Sequence, residues 1–136
     1  MGSSELHQLS AAVLNRTPDS HAIEFEKRWY TWGDLRRIAS LVTDLIAESG
    51  AAANSKVALV AKNRPSAIAA YLGLMEKRFS FRMVYPFQSS ISMAREIELI
   101  RPSVVIAAEE TFDAEIIAAL KSSGIAGVAL SQQEVT

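Results

Sequence analysis

Hydrophobic positions in the first third of the chain change from a strand-like to a helix-like spacing. Two short apolar-rich runs, 22–25 and 29–31, flank a polar turn, and this pattern predicts a β-hairpin. Thr31 and Asp34 then have the spacing of a helix capping box, with Asp in place of the longer Glu. The apolar residues that follow recur at helical intervals and predict an amphipathic helix with this buried face: Leu35, Ile38, Val42, Leu45 and Ile46.

The rest of the chain alternates between strand-like runs and helical stripes. Residues 57–61 and 103–107 are continuously apolar, which is typical of strands covered on both faces in a parallel sheet. Residues 79–84 alternate between apolar and polar, and 125–130 form the last strand candidate. Three helices are predicted between these runs, with these apolar stripes: Ile68, Tyr71, Leu72 and Met75; Met93, Ile97 and Ile100; Ile116, Ile117 and Leu120.

This order of elements predicts an α/β fold. Strands that alternate with helices need right-handed crossovers, which place helices on both faces of a mostly parallel, doubly wound sheet. We therefore expect a flavodoxin-like or Rossmann-like sheet with a small N-terminal hairpin. The predicted organisation is an N-terminal arm at 1–19, one α/β unit at 20–131 and a polar tail at 132–136.

Composition narrows the class of protein. With 136 residues, 49% hydrophobic and 21% charged, the chain has the composition of one globular domain. The net charge is −1 and no basic cluster is present, which argues against nucleic acid as a partner. There are no cysteines, hence neither disulfides nor thiolate metal sites. The start lacks the features of a signal peptide and no apolar run approaches the roughly 20 residues of a membrane span, so we expect a soluble cytoplasmic protein.

Ligands of open α/β sheets bind at the loops beyond the carboxyl ends of the strands. In this chain those loops are predicted at 62–65, 85–89, 109–111 and 131–132. None contains Gly-x-Gly-x-x-Gly or Gly-x-x-x-x-Gly-Lys-Ser/Thr, the two sequences that cradle phosphate groups. The chain therefore has the strands and helices of a nucleotide-binding type of fold but neither of the sequences that bind phosphate groups.

Ionisable residues do not form a recognisable catalytic or metal-binding group. Glu109-Glu110 has no third ligand nearby in sequence and is interpreted as part of a solvated loop. His7 and His21 have no partner at ligand spacing, and no Ser lies in a Gly-x-Ser-x-Gly sequence. We predict no catalytic residue and no metal site in this chain.

An ordered series of short motifs resembles the N-terminal part of the AMP-forming adenylating enzymes, which include the acyl-CoA and aryl-CoA synthetases. The series is "WYTWGDL", "KVALVAKNRP", "VYPFQSS" and "REIELIRPSVVIA", and the resemblance covers roughly residues 20 to 131. The residues that match the family pattern are Thr31, Trp32, Asp34 and Leu35, followed by Val57, Ala58, Leu59, Asn63 and Pro65.

Several positions depart from that family pattern. Asn54-Ser55-Lys56 replaces a usual Gly-Asp, and Ser66 stands where Glu is common. Lys77-Arg78 replaces a small Ala-Gly pair before the third strand, and Met83 and Tyr85 replace a usual Pro and Asn. A bulky, charged entry to this strand indicates either an edge strand or a divergent subfamily.

The resemblance implies a function for a longer parent protein. Such an enzyme uses ATP, Mg and CoA: a carboxylic acid and ATP give an acyl-adenylate, from which CoA displaces AMP. Its catalytic motifs lie further along the chain, so this chain would be a truncated scaffold that holds no cofactor of its own. Its partner would be the remainder of the parent polypeptide. Phe87, Gln88 and Ser89 would lie on the side where CoA-forming members pass the CoA nucleotide.

Two further interpretations stay open at the level of sequence. The chain could be a free-standing α/β binding or interaction module, or a flavodoxin-like nucleotide binder that lacks a phosphate loop. A fragment, unlike a finished module, should leave an apolar face uncovered or form a homodimer. Trp29 and Trp32 are interpreted as packing residues around the hairpin and the first helix.

Overall fold

The computed structural model describes residues 8–9, 12, 19–25, 27–49, 56–62 and 64–130. Within these residues the strands are β1 (His21–Phe25), β2 (Arg28–Thr31), β3 (Lys56–Val60), β4 (Ser80–Val84), β5 (Val104–Ala108) and β6 (Ala126–Leu130). The helices are α1 (Trp32–Glu48), α2 (Pro65–Glu76), α3 (Ser90–Ile100) and α4 (Ala114–Ser123), with a 3₁₀ turn at Glu109–Thr111. In this part of the chain no helix is long and apolar enough to cross a membrane.

The predicted hairpin and capping box are both present. β1 and β2 pair antiparallel, and α1 begins directly after β2. The Thr31 hydroxyl accepts from the Asp34 N–H at 3.1 Å, and the Asp34 carboxylate accepts from the Thr31 N–H at 2.9 Å. The shorter Asp side chain therefore reaches back far enough to complete the box, which satisfies two backbone donors at the start of α1.

The main sheet is parallel and has the strand order β4-β3-β5-β6. Numbered by position along the chain, this order is 2-1-3-4, the beginning of the flavodoxin-like order. α1 and α2 cover one face of the sheet, and α3 and α4 cover the other. The prediction of a doubly wound α/β fold with a small N-terminal hairpin is therefore confirmed.

Each face of the sheet has its own core cluster. On the first face, alternate residues of β3 and β5 such as Leu59 and Ile106 pack with the buried side of α1 and with Tyr30 of the hairpin. On the second face, Val60 and Val105 pack with residues of α3 and α4. All five residues of β5 are buried, as its continuous apolar run predicted.

The stripe predicted for α2 is only partly correct. Ile68 and Tyr71 are 40% and 37% exposed, whereas Leu72 packs against the first core cluster. The buried face is built mainly of small residues: Pro65, Ser66, Ala67, Ala69, Ala70 and Gly73, together with Leu74 and Glu76. Small residues let α2 lie close against α1, and the side chains of Ile68 and Tyr71 point outward. Leu45 of α1 and Ile117 of α4 were also predicted to be buried and are 44% and 40% exposed.

An ion pair joins the same two helices. Arg36 of α1 lies with Nη1 at 2.6 Å from Oε2 of Glu76 in α2, and its guanidinium also donates to the Ser40 hydroxyl. The Glu76 side chain is only 10% exposed. A charged contact at this depth fixes how α2 is placed along α1.

The Lys77-Arg78 departure lies at the end of α2. Lys77 is the C-cap residue, and Arg78 has a φ of 60°, a left-handed conformation that favours glycine. β4 follows and is an edge strand of the described sheet, since it pairs there with β3 alone. Of the two explanations offered by the sequence, the edge location therefore agrees with the structure.

Candidate functional site

The carboxyl ends of the parallel strands meet at one edge of the sheet. Three groups of described residues lie there: 61–62 and 64 after β3, 85–89 after β4 and 109–113 after β5. β3 and β5 are neighbours in the sheet although α2, β4 and α3 separate them in sequence. Their carboxyl ends therefore form the topological switch point, where open α/β sheets bind ligands.

The segment after β4 contains the three residues implied to lie on the CoA side. Ser89 is the N-cap of α3, and its hydroxyl accepts from the Ser92 N–H at 3.1 Å. The Gln88 amide donates to the Tyr85 carbonyl at 2.7 Å and accepts from the Ser92 hydroxyl at 2.7 Å. Two of the three residues thus already have a structural role at the start of α3.

Phe87 is the member of this group with a large free surface. Its side chain is 69% exposed, and its ring meets the Tyr85 ring edge-on with the centroids 5.9 Å apart. Tyr85 is 61% exposed. An exposed pair of aromatic rings beside a helix start can stack on a flat ligand, so Phe87 is the residue of the three whose chemistry suits binding.

Hydrogen bonds tie this segment to the next one. The Ser90 hydroxyl donates to the Asp113 carboxylate, which also caps α4 by accepting from the Ile116 N–H at 3.0 Å. The Ser90 hydroxyl and, less strongly, the Ile116 N–H lower the pKa of the Asp113 carboxyl. The segments after β4 and β5 are therefore linked by a charge-assisted hydrogen bond.

A second link crosses the switch point itself. The Nζ of Lys62 lies 3.2 Å from Oε1 of Glu110, and the Arg64 guanidinium contacts the same oxygen. The hydrogen bond from Arg64 is the main cause that lowers the pKa of Glu110 to about 2, and the Glu110 N–H and Lys62 act in the same direction. Two cations from the segment after β3 thus converge on one carboxylate after β5.

The cluster of Lys62, Arg64 and Glu110 was not predicted from the sequence, although both of its segments were identified as loops at strand ends. Glu109-Glu110 was interpreted as a solvated loop, and the ion pair makes that interpretation incomplete for Glu110. Asn63, whose residue type and place before Pro65 make it a candidate helix cap, lies outside the described part of the chain. The N-cap position of α2 is held by Arg64, whose side chain makes no cap hydrogen bond.

The structure also shows the surroundings of the other candidate residues, among them His21, Trp29 and Trp32. No group of three or more His, Cys, Asp or Glu side chains that could hold a metal occurs among the residues described. His21 stacks on Trp29 with the ring centroids 4.8 Å apart, and Trp29 is 49% exposed. Trp32 is partly buried against the first core cluster. The packing interpretation therefore fits Trp32 better than Trp29.

An apolar cavity of about 330 Å³ lies between α4 and β6. Its lining consists of Phe112, Ile117, Leu120, Lys121, Ile125, Gly127 and Ala129. A Cβ on Gly127 would stand 2.9 Å from the Phe112 ring, so the absence of a side chain there keeps this space open. The cavity was not predicted from the sequence, because the space arises from small residues on β6, an edge strand of the described sheet.

The fold and this edge define a class: flavodoxin-like α/β domains whose ligand edge carries neither a glycine-rich phosphate loop nor a metal cluster in the described residues. The family follows from comparison of the sequence. The model of the family described as "AMP-binding enzyme" matches residues 10–135, and the chain belongs to this family. No curated protein matches the chain.

Solved structures share the fold. Apo MatB from Rhodopseudomonas palustris has a TM-score of 0.74 and 18% identity over 92% of this chain and 25% of its own. VinN in complex with 3-methylaspartate has a TM-score of 0.70 and 20% identity, with 96% and 35% covered. The anthranilate CoA ligase AuaEII in complex with anthranoyl-AMP has a TM-score of 0.71 and 13% identity, with 90% and 25% covered. The chain thus spans about a quarter to a third of the length of these structures.

Proposed function

We propose that this chain is the N-terminal subdomain of an ATP-dependent, AMP-forming carboxylate–CoA ligase. The observation that carries the proposal is the family match over residues 10–135. The shared fold with a structure named as a CoA ligase supports it. In the parent enzyme a carboxylate oxygen would attack the α-phosphorus of ATP and release pyrophosphate. The CoA thiolate would then attack the acyl carbon and release AMP.

Within that enzyme the role of this chain is to support and to bind rather than to catalyse. ATP and Mg are assigned to the remainder of the parent, because the strand-end loops of this chain have no glycine-rich phosphate cradle and its described residues no metal cluster. One neighbouring structure is described as ATP-bound MatB, which agrees with ATP use in the family. A cytoplasmic location and a small carboxylic acid substrate are part of the same proposal.

CoA is a ligand of the parent for which the described residues offer a contact. We assign that contact to the segment 87–89, with Phe87 as the binding side chain, since Gln88 and Ser89 organise the start of α3. An exposed aromatic ring can stack on a nucleotide base without a conformational change of the backbone. Gln88 and Ser89 would hold that ring in place.

Uncovered apolar surface favours a subdomain over a free-standing module. Met83, Tyr85, Phe87 and Ile91 are each more than half exposed around the carboxyl end of β4. The apolar cavity beside β6 lies at the opposite edge of the described sheet. A finished module normally covers such surface, whereas a subdomain buries it against the rest of its parent.

The experiment that tests the proposal measures the two half-reactions separately in the parent protein. Acid-dependent ATP–pyrophosphate exchange reports adenylation, and thioester formation reports the CoA step. The parent should catalyse both, and the isolated chain neither. Phe87→Ala in the parent should raise KM for CoA and leave the exchange rate unchanged, with Trp29→Ala as the control for loss of an exposed aromatic. Exchange by the isolated chain would overturn the subdomain proposal, and a parent inactive with every acid tested would overturn the ligase.

A further inference from the structure

The point between β3 and β5 is the topological switch point of the described sheet. The connection that leaves β3 runs through α2 on one face of the sheet, and the connection that leaves β5 runs through α4 on the other face. Open α/β sheets bind ligands beyond the carboxyl ends of the strands at such a point. The side chains that meet there are those of Lys62, Arg64 and Glu110.

These three side chains resemble an occupied anion-binding site. The two cations are Lys62 and Arg64, and the anion that they bind is the carboxylate of Glu110. Lys62 and Arg64 both contact a single carboxylate oxygen of Glu110. Lys62 and Arg64 are 24% and 30% exposed, whereas Glu110 is 47% exposed. The cations are therefore less exposed to solvent than the carboxylate that they contact. The helix α2 begins at Pro65, next to Arg64, so its positive end adds to the same field.

We propose that Lys62 and Arg64 form a binding site for a phosphate group, and that Glu110 occupies this site until the ligand displaces it. Arg presents a planar fork that matches two phosphate oxygens, and Lys binds phosphate as a point charge. A carboxylate offers fewer charged oxygens than a phosphate, so it is the weaker of the two partners. The site takes a phosphate or diphosphate, free or as part of a nucleotide.

Displacing Glu110 costs little. Ion pairs that are this exposed to solvent stabilise proteins only weakly, because water screens the charges and the side chains lose freedom. Glu110 lies in a short 3₁₀ turn at the surface, so rotation of its side chain moves the carboxylate into water. Glu109 in the same turn is exposed as well. A stronger anion can therefore replace the Glu110 carboxylate at Lys62 and Arg64.

The test is a titration of the isolated chain with inorganic pyrophosphate at constant ionic strength, followed by the backbone amide signals of residues 62, 64 and 110. Glu110→Gln removes the competing charge and keeps the shape of the side chain. We expect this variant to bind pyrophosphate roughly threefold to fivefold more tightly than the unchanged chain, because an ion pair this exposed competes only weakly with the ligand. Glu109→Gln is the matched control, since it removes the same charge from the same turn without touching the ion pair, and it should leave the affinity unchanged.

Two further variants locate the binding. Lys62→Gln combined with Arg64→Gln should abolish the tight binding seen in Glu110→Gln, while the amide spectrum shows that the fold is kept. ADP in place of pyrophosphate separates a nucleotide from a bare anion: tighter binding of ADP assigns the site to nucleotides, and equal binding assigns it to the diphosphate alone. Equal affinities in Glu110→Gln and Glu109→Gln, or tight binding that survives loss of both cations, would overturn the proposal. Since no carboxylic acid and no catalysis are involved, these outcomes are independent of the ligase proposal.

Discussion

Gly73 of α2 lies so close to Ala39 of α1 that a Cβ on residue 73 would stand 3.1 Å from both the Cβ and the carbonyl oxygen of Ala39. Neither atom can move without a shift of α1, because Ala39 is fully buried in the first core cluster. Contact between these two small residues sets the spacing of the helix pair. It also explains why the larger side chains Ile68 and Tyr71 lie on the outer side of α2.

Gly73→Ala should therefore destabilise the domain although Ala is the better helix former. Overpacking costs about 1 to 3 kcal/mol, against a gain of about 1 kcal/mol in helix propensity. We expect a net loss of roughly 1 kcal/mol in the free energy of unfolding by urea. A Gly73→Ala variant more stable than the unchanged chain would show that the helices are not in close contact.

Arg78→Gly should stabilise the chain. Arg78 follows the C-cap of α2 with a φ of 60°, and the left-handed region costs a residue with a Cβ roughly 1 kcal/mol or more. Glycine adopts it freely, so we expect a gain of up to about 1 kcal/mol, reduced by the larger entropy of the unfolded chain. Lys77→Gly is the control, because Lys77 has a φ of −90° and should gain nothing. Thermal unfolding of the two variants side by side decides the question.

The capping box makes its own prediction. Thr31→Ala removes the hydroxyl that accepts from the Asp34 N–H, and should cost about 1 kcal/mol of stability. Thr31→Ser keeps an acceptor at the same place and should cost much less. If chemical denaturation finds the two variants equally stable, the hydroxyl does not cap α1.

The ion pair at Glu110 predicts a dependence of stability on acid pH. Its folded pKa of about 2 lies below the ordinary 4.5, so the pair stabilises the folded state above pH 4.5 and loses this effect as the pH falls towards 2. Because the carboxylate is half exposed, we expect the contribution to stay below about 1 kcal/mol. Glu110→Gln should unfold with a flatter pH profile over this interval than Glu109→Gln. Identical profiles would mean that the pair contributes nothing in solution.

Local sequence patterns were sufficient to predict the elements whose structure is determined by residues close to one another in the sequence. The run 103–107 predicted a buried strand because only a strand covered on both faces can be apolar throughout, and β5 is such a strand. The cap at Thr31 also follows from backbone rules, and so does the end of α4 at Gly124, a glycine with a φ of 67°. The face of α2 did not follow from them, because its contact with α1 selects small residues, and hydrophobicity alone ranks these below Ile68 and Tyr71.

The candidate site was harder to predict than the fold for a reason of topology. Lys62 and Glu110 are separated by 48 positions and meet only because β3 and β5 are neighbours in the sheet. The alternation of strands and helices leaves several strand orders open, so opposite charges at two strand ends gave no reason to pair them. The Ser90 contact with Asp113 could not be predicted from the sequence for the same reason, since it also depends on the order of the strands in the sheet.

The central claim is that this chain supplies the first part of an AMP-forming ligase, and the native reading frame tests it most directly. We predict that sequencing of the source gene beyond the codon for Thr136 finds a continuing open frame. It should encode a Ser/Thr/Gly-rich segment ending in Pro-Lys-Gly, able to neutralise a triphosphate with its Lys and backbone donors. A single lysine should follow near the end of the protein, placed to stabilise charge on the carboxylate under attack. A stop codon directly after Thr136, with no such segment encoded beside it, would contradict the claim and leave a free-standing binding module.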